Sequence, residues 1–568
     1  MIKCSEINVE TKSVYCIHHY WLVFFLLATP VMTQIFTVTL FVLSTSISRF
    51  HFPIALLTTG FLVVYLGKYD LKSLGDKIKL LVMGCTSFII AILFVCQFID
   101  FSFDGQSYHM PAMIALASGW NPFLNPHLID WNPIFVQESG TELYIDHYPI
   151  GSWILAAAVY KSTGLIESGK VFNIIYMLAL YLIAIDFLNR ICNYSNFTKY
   201  ILAGLISLNP VIICQLGSFY VDGQLAALIS MAIILSLEYL WFKDKRTLVL
   251  LGLVVISLVN VKMTGLVYAS IIGATAFFGL LILRRQPWQF ISFFSVAWVI
   301  AVLVVGFHPY VSNTIQHKTP FYPIGVDINI KNPLEGQEPR VFLEKNRVEK
   351  LVYSLAGRKN DALSMPELKS PFNISKSDIW SFERTDISYG AFGPLFFLVG
   401  IELLVVGTLV LLIERKINFF LVFGAVLLLT TMVPISEMWK ARYAPQLWLL
   451  PIALIIALYN NNRLWVRIAA QLGGLLLIIN VALISYVNFS KSNSRSLDFS
   501  KSMALLKEIN NEEESLEIYF PSRIVTHKAR LLENGISFRK VDAPTCHNSI
   551  NIGFPAELSM KVCKQKNQ

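Results

Sequence analysis

Charged residues are scarce in this chain of 568 residues, where Asp, Glu, Lys and Arg together make up 15%. An ordinary soluble protein carries about 25% of such residues, and the mean hydropathy of +0.58 likewise excludes a soluble globular protein. The apolar residues stand in long blocks, such as residues 419–433 and 472–484, rather than alternating in short segments. Because membrane β-barrels need that alternation, the pattern excludes a barrel and predicts an all-α polytopic membrane protein.

Cysteine is also sparse, and the eight cysteines show no metal-binding or redox spacing. Cys4 and Cys16 precede the first apolar block, and four others lie in or beside apolar blocks, where cysteine is usually a small core residue. Only Cys546 and Cys563 share one soluble segment, which is predicted to face an oxidising exterior. The sequence leaves open whether these two residues are bridged.

Basic residues outnumber acidic ones by 46 to 37, an excess that nucleic-acid-binding proteins also show. Here, however, Lys and Arg stand in short loops between apolar blocks, which marks those loops as cytoplasmic. The positions are Lys68, Lys72, Lys77, Lys79, Lys243, Lys245, Arg246, Arg284, Arg285, Arg415, Lys416, Arg463 and Arg467. We therefore expect the basic excess to set membrane orientation and predict no nucleic-acid partner.

With these loops inside, the chain makes about thirteen membrane spans, with the N-terminus in the cytoplasm and the C-terminus outside. The first apolar block is too long for a signal peptide and is followed by another span, so no cleaved signal is predicted. The predicted spans are residues 20–47, 52–68, 79–99, 169–188, 198–217, 222–242, 247–261, 264–283, 289–307, 391–413, 417–435, 444–460 and 465–487.

Three soluble segments remain, all on the predicted outer face. Residues 100–168 have no basic residue before Lys161, and residues 308–390 are mixed in charge and rich in Pro and Asn. The transmembrane domain, residues 1–487, is followed by a tail of residues 488–568. The pattern of the tail predicts a small α/β appendage with helix at 497–509 and strands at 516–520 and 536–541.

The segment that follows the third span carries the clearest chemical signal. Asp100 and Asp104 are followed by Tyr108 and His109. An acidic residue where a helix leaves the bilayer is placed to act as a general base on a lipid-linked substrate. The alternative is that both aspartates cap the helix predicted at 107–118, and spacing alone does not separate the two roles.

Further motifs appear in a consistent order along the chain. They are Tyr108-His109-Met110-Pro111, Gly119-Trp120-Asn121-Pro122, His147-Tyr148-Pro149, Tyr220-Val221-Asp222-Gly223, Lys262-Met263-Thr264-Gly265, Thr319-Pro320-Phe321-Tyr322-Pro323 and Arg442-Tyr443-Ala444-Pro445. Together with Asp104 they resemble the GT-C superfamily of membrane glycosyltransferases, which includes bacterial aminoarabinose transferases and relatives of the protein O-mannosyltransferases. The resemblance covers most of residues 79–460, and the topology drawn from charge places its ionisable residues at the outer surface.

The resemblance implies inverting transfer of a sugar from a polyprenyl-phosphate donor to a lipid or glycan acceptor, outside the bacterial cytoplasmic membrane. Asp104 is then the catalytic base, while Lys262 and Arg442 meet the lipid phosphate. The other predicted substrate-binding residues are Tyr108, His109, His147 and Asp222. The mannosyltransferase Asp-Glu pair is replaced by Asp104 and Gly105, so the acceptor stays open.

Each charged residue of this set also has a structural alternative. Lys262 stands at a span end, where lysine often extends to the interface. Arg442 lies between Trp439 and Tyr443 and is placed to anchor a span. Asp222 is placed to cap a helix.

A divalent cation is the one cofactor that the resemblance raises, since some branches of the family require it. Histidines are frequent in the outer loops, but they lack metal-ligand spacing, and we predict no metal ligands. They are His109, His127, His147, His308 and His317.

Two other functions stay open, an oligosaccharide ligase or polymerase and a lipid or glycan transporter. Glu402, within an apolar block, is the residue most typical of transport, but we favour the alternative that it is a protonated glutamate bonded to a neighbouring helix. The repeated broken spans of transporters are not seen in the sequence.

Overall fold

The computed structural model describes residues 17–132, 135, 141–323, 340–358, 367–387, 392–414, 419–512, 516–543, 550–552 and 560–563. Within these ranges the chain is mostly α-helical. The helices are α1 (Ile17–Val42), α2 (His51–Leu66), α3 (Leu74–Val95), α4 (Met110–Ala117), α5 (Leu128–Trp131), α6 (Thr141–His147), α7 (Gly151–Thr163), α8 (Val171–Ile191), α9 (Asn196–Ser207), α10 (Pro210–Gln215), α11 (Asp222–Phe242), α12 (Lys245–Val261), α13 (Met263–Ile282), α14 (Trp288–Val299), α15 (Ser312–His317), α16 (Arg347–Ala356), α17 (Lys376–Trp380), α18 (Phe396–Glu414), α19 (Phe419–Met432), α20 (Leu449–Leu458), α21 (Leu464–Glu512) and α22 (Ile524–Glu533). The strands are β1 (Gly357–Arg358), β2 (Glu367–Leu368), β3 (Leu516–Tyr519), β4 (Phe538–Val541), β5 (Ile550–Ile552) and β6 (Met560–Cys563).

In the described part of the chain, nine helical segments are long and apolar enough to cross a membrane. They are Ile17–Val42, His51–Tyr69, Leu74–Val95, Ile166–Ile191, Asp222–Phe242, Met263–Ile282, Trp288–Val305, Phe396–Glu414 and Leu464–Asn510. The chain is therefore a multi-pass helical membrane protein, as the scarcity of charge predicts. The other four predicted spans coincide with the shorter helices α9 with α10, α12, α19 and α20, so the count of about thirteen stays a prediction.

Local sequence accounts for several helix starts beside the membrane. Ser73 accepts a hydrogen bond from the backbone amide of Asp76, whose carboxylate accepts one in return, and this capping box begins α3. Asn209 caps α10 through the amide of Val211, which separates α10 from α9 inside the span predicted at 198–217.

Ion pairs join helix ends that the charge pattern places together on the inner side. Arg246 donates to both carboxylate oxygens of Asp70, at 2.8 and 3.0 Å. Arg190 lies 2.9 Å from Asp244 and 3.1 Å from Glu238. Because these residues come from separate helices and loops, the contacts place those helix ends at one end of the bundle, which we call the inner end. Its orientation toward the cytoplasm stays a prediction.

The tail forms a small α/β domain that continues directly from the last span. Helix α21 runs unbroken from Leu464 to Glu512, so the boundary predicted at 487–488 falls inside one helix. The sheet has the order β4-β3-β6-β5, with β3 parallel to β4 and antiparallel to β6. The predicted helix and two strands are present, and β5 and β6 are additional.

Apolar side chains from α21, α22 and the sheet share the core of this domain, including Leu506, Leu531 and Val562. Cys563 on β6 is disulfide-bonded. Cys546 lies outside the described residues, so the question of whether Cys546 and Cys563 are bridged to each other stays open.

Candidate functional site

Four charged side chains from distant parts of the chain meet at the end of the bundle opposite to the inner ion pairs. Arg442 Nη1 lies 3.3 Å from Asp104 Oδ2 and 3.9 Å from Asp222 Oδ2. Lys262 Nζ donates to Asp222 Oδ1 at 2.5 Å. We call Asp104, Asp222, Lys262 and Arg442 the charge cluster; Asp104 and Arg442 are 338 positions apart in the sequence.

Asp104 stands at the start of a π-helical turn, Gly105–His109, that leads into α4. Its carboxylate makes no capping hydrogen bond, so the capping alternative for Asp104 is not what the structure has. Gly105 packs directly against Asp100, because a Cβ at this position would lie 2.1 Å from Asp100 Oδ2. A larger residue at Gly105 would require the side chains of Asp100 and Ser102 to move, and we expect such a movement to displace the neighbouring Asp104.

Asp222 and Lys262 are positioned by helix ends. Asp222 is the first residue of α11, directly after the cap position Val221, and its carboxylate accepts a hydrogen bond from Lys262. Lys262 is a single extended residue between α12 and α13. Gly265 makes this junction possible, since a Cβ there would lie 1.9 Å from the carbonyl oxygen of Leu258. Lys262 is therefore held inward, with 15% of its side chain exposed.

Arg442 comes from the turns between α19 and α20 and is buried among protein groups. Its Nε atom lies 3.4 Å from Asp386 Oδ1 but makes no hydrogen bond to the described residues. Asp386 was not among the residues singled out from the sequence, because an isolated aspartate in a mixed-charge loop carries no motif. The guanidinium is thus shared among three carboxylates at distances above 3.2 Å.

Aromatic rings surround these cations. The guanidinium of Arg442 lies 4.9 Å from the ring centroid of Tyr443 and 5.8 Å from that of Tyr220, and Lys262 Nζ lies 4.7 Å from Tyr443. Such cation–π contacts stabilise positive charge where water is largely excluded. Tyr220 and Tyr443 were not predicted as site residues, although each is a close neighbour of a charged residue that was.

Tyr108 and His109 continue this aromatic surface, as the sequence places them after Asp104. The ring centroids of Tyr108 and Tyr148 are 6.1 Å apart, and His109 lies at the same distance from Tyr148. Trp153 donates its indole N–H to His109 Nδ1 at 2.8 Å. Because indole is only a donor, Nδ1 must be unprotonated and the proton of neutral His109 sits on Nε2.

Burial sets the protonation behaviour of these groups. Burial raises the pKa of Asp104 above its ordinary value, while Arg442 acts in the opposite direction. For His109, burial lowers the pKa well below its ordinary value, and the cations Lys262 and Arg442 add to this effect. Burial disfavours the charged form of Lys262, but Asp222 and Tyr148 outweigh it and the pKa of Lys262 is raised. His109 is thus a neutral hydrogen-bond donor, and Lys262 stays charged.

His147 joins a different group of outer-loop side chains. Its Nδ1 lies 2.9 Å from Asn313 Oδ1, and its ring centroid lies 5.2 Å from that of His317 and 4.7 Å from that of Tyr322. Within the described residues, no group of three or more His, Cys, Asp or Glu side chains has a geometry that could hold a metal ion. The predicted role of His147 in substrate binding stays a prediction.

Protein-family models, curated proteins and solved structures were all compared with this chain, and none matches. The resemblance to the GT-C superfamily therefore stays a prediction from the motifs.

Proposed function

We propose that this protein is a glycosyltransferase that moves a sugar from a polyprenyl-phosphate donor to a cell-envelope acceptor, at the outer face of a bacterial cytoplasmic membrane. The observation that carries the proposal is the charge cluster itself. One carboxylate, Asp104, is partly exposed, with 24% of its side chain accessible, and it lies 3.3 Å from Arg442 at the end of apolar spans. The second cation, Lys262, is joined to the cluster through Asp222. A lipid-linked phosphate brings its reacting bond to that depth in the membrane.

In the proposed reaction, Asp104 accepts the proton of the acceptor hydroxyl or amine as that group attacks C1 of the sugar. The bond from C1 to the phosphate oxygen breaks, and the lipid phosphate leaves with the electron pair. Attack from the face opposite the leaving group inverts the configuration at C1. Arg442 and Lys262 compensate the negative charge that develops on the phosphate.

The way Arg442 is held supports this assignment. Its contacts are long, and Nε is a buried donor without a hydrogen bond among the described groups. A phosphate accepts such donors in a forked geometry that matches the guanidinium plane. Asp222 keeps Lys262 charged and oriented, and the rings of Tyr108 and Tyr148 offer flat faces of the kind that pack on sugars.

The direct test is transfer by the purified full-length protein in lipid nanodiscs, with labelled polyprenyl-phosphate sugars and candidate lipid and glycan acceptors. Asp104→Asn keeps the shape but removes the base, and we expect turnover to fall roughly 10²- to 10⁴-fold. Asp130→Asn is the matched control, since Asp130 is an exposed aspartate of the same outer segment. Full activity in Asp104→Asn would exclude Asp104 as the base.

The same assay separates the two alternative functions. Transfer only from longer, diphosphate-linked donors identifies an oligosaccharide ligase or polymerase. Movement of the lipid across the bilayer without a covalent product identifies a transporter. Either result replaces the proposed function.

A further inference from the structure

The tail contacts the membrane domain directly behind the segment that carries Asp104. We infer that Arg530, on α22 of the tail, is a positioning residue that holds this segment and the start of α11 in their reactive arrangement. A catalytic consequence of this arrangement rests on the proposed glycosyl transfer, whereas the contact between Arg530 and the Asp104 segment does not depend on it.

Arg530 is buried, and the two acceptors of its Nη2 atom both belong to the membrane domain. Nη2 donates to the backbone carbonyl of Asp100 and to Glu167 Oε1, each at 2.8 Å. The guanidinium also lies 5.8 Å from the ring centroid of Phe101 and 5.4 Å from that of Phe499. One side chain of the tail thus joins the exit of α3 to the segment before α8.

Glu167 extends this connection into the bundle. Glu167 Oε2 lies 2.6 Å from Lys170 Nζ. Lys170 in turn donates to the carbonyl of Phe98 and, at 3.1 Å, to that of Gly217. The segment before Asp100 and the segment before Asp222 are therefore held by the same buried network.

Asp100 connects the network to both acidic residues of the charge cluster. Its Oδ2 accepts from the amide of Phe219 at 3.0 Å, and the same oxygen limits the space at Gly105. Gly105 follows Asp104, and Phe219 stands three residues before Asp222. A displacement of Asp100 is therefore expected to move Asp104 and Asp222 relative to Arg442.

Two other contacts keep the tail docked when Arg530 is replaced. Ser496 accepts from the amide of Ile99 at 2.8 Å, and Glu533 accepts from the amide of Ile166 at 2.9 Å. Ile99 and Phe101 also pack on the apolar core of the tail. We therefore expect the loss of the Arg530 side chain to loosen the Asp104 segment without releasing the domain.

The test compares Arg530→Gln with Arg539→Gln, whose side chain is on β4 of the same domain and 70% exposed. Hydrogen–deuterium exchange of full-length protein in nanodiscs is expected to be on the order of tenfold faster over residues 99–106 in Arg530→Gln only. Turnover with polyprenyl-phosphate sugar is expected to fall roughly 10- to 100-fold, with little change in KM for the donor. A merely structural role would lower the folded fraction and leave kcat per folded molecule unchanged.

Arg530→Lys provides a second variant in case the glutamine variant does not fold. Its charge is kept, but the ammonium cannot reproduce the geometry of the guanidinium toward both acceptors, so the same changes are expected at smaller size. Wild-type exchange over residues 99–106 in the folded variants overturns the inference. Exchange needs no substrate, so failure of the wild type to transfer any sugar would refute the proposed function separately.

Discussion

The two ends of the helical bundle both carry buried or partly buried ion pairs, but they hold their arginines differently. At the inner end, Arg246 makes two short contacts to Asp70, and Arg190 is held at 2.9 and 3.1 Å. At the opposite end, Arg442 is spread over carboxylates at 3.3 to 3.9 Å. Short pairs serve stability, whereas an arginine shared among carboxylates at longer distances retains capacity to bind an anion.

The carboxylates that contact the arginines also differ in solvent exposure between the two ends. Glu238 at the inner end is fully buried, while Asp104 and Asp386 at the outer end are 24% and 44% exposed. A ligand can therefore reach Asp104 and Asp386 beside Arg442, whereas the Arg190–Glu238 pair is closed to solvent. Contact distance separates the candidate site from both inner pairs, and access separates it from the Arg190–Glu238 pair, although all consist of the same residue types.

The largest expected effect contrasts the two arginines. Arg442→Gln removes the proposed phosphate-binding fork, and we expect turnover to fall roughly 10²- to 10³-fold. Arg246→Gln is expected to lower the unfolding temperature and leave turnover per folded molecule unchanged. Kinetics normalised to the folded fraction provide the measurement, and equal losses in both variants would contradict the comparison.

For the free energy of unfolding, we expect the larger loss from a substitution at the inner end and the smaller loss from one in the charge cluster. Glu238→Gln breaks a fully buried ion pair and should cost about 3 kcal/mol of unfolding free energy. If the charge cluster is the proposed site, Asp104→Asn should cost little unfolding free energy or even stabilise the fold, because it removes a partly buried charge. Reversible unfolding in detergent measures both variants, and a larger loss in Asp104→Asn would refute this distinction.

Glycine substitutions test how tightly the outer end is packed. Gly105→Ala forces its Cβ against Asp100 and should reduce turnover on the order of tenfold by displacing Asp104. Gly204→Ala in α9 meets no atom within 4 Å and should stabilise the helix by about 0.5–1 kcal/mol with unchanged turnover. Unchanged turnover in Gly105→Ala would show that Asp104 does not depend on this packing.

The smallest expected effect is a shift along the pH axis. Asp104 must be deprotonated to act as the proposed base, so turnover should rise with pH through a pKa that burial holds above the ordinary aspartate value. Arg442 lowers the pKa of Asp104. The acid side of the pH profile of turnover should therefore move to higher pH in Arg442→Gln and stay in place in Arg246→Gln. If the acid side of the wild-type pH profile reported the ordinary pKa of aspartate, burial of Asp104 would not control the pH dependence of turnover.

Much of the fold and part of the site follow from local sequence. The apolar blocks predict the long helices, and the few outer charged residues include all four members of the charge cluster. The structure then separates His147 from that cluster, in the contacts described, and adds Tyr220, Tyr443 and Asp386 to its surroundings. Tyr220 and Tyr443 stand in motifs that the sequence shows, but nothing in those motifs assigns the tyrosines to a site, and Asp386 belongs to no motif. A tyrosine or aspartate at a span end occurs equally in sites and in ordinary interfaces.

By itself, the sequence determined that the chain crosses a membrane many times, because apolar segments of about 20 residues have no other stable environment. It also limited the chemistry to a few charged groups, because each charge near a bilayer is costly. Only the tertiary structure decided which of these groups share Arg442, and that Arg530 of the tail contacts Asp100. Such pairings depend on distances between segments hundreds of residues apart, which helix packing sets and local sequence does not encode.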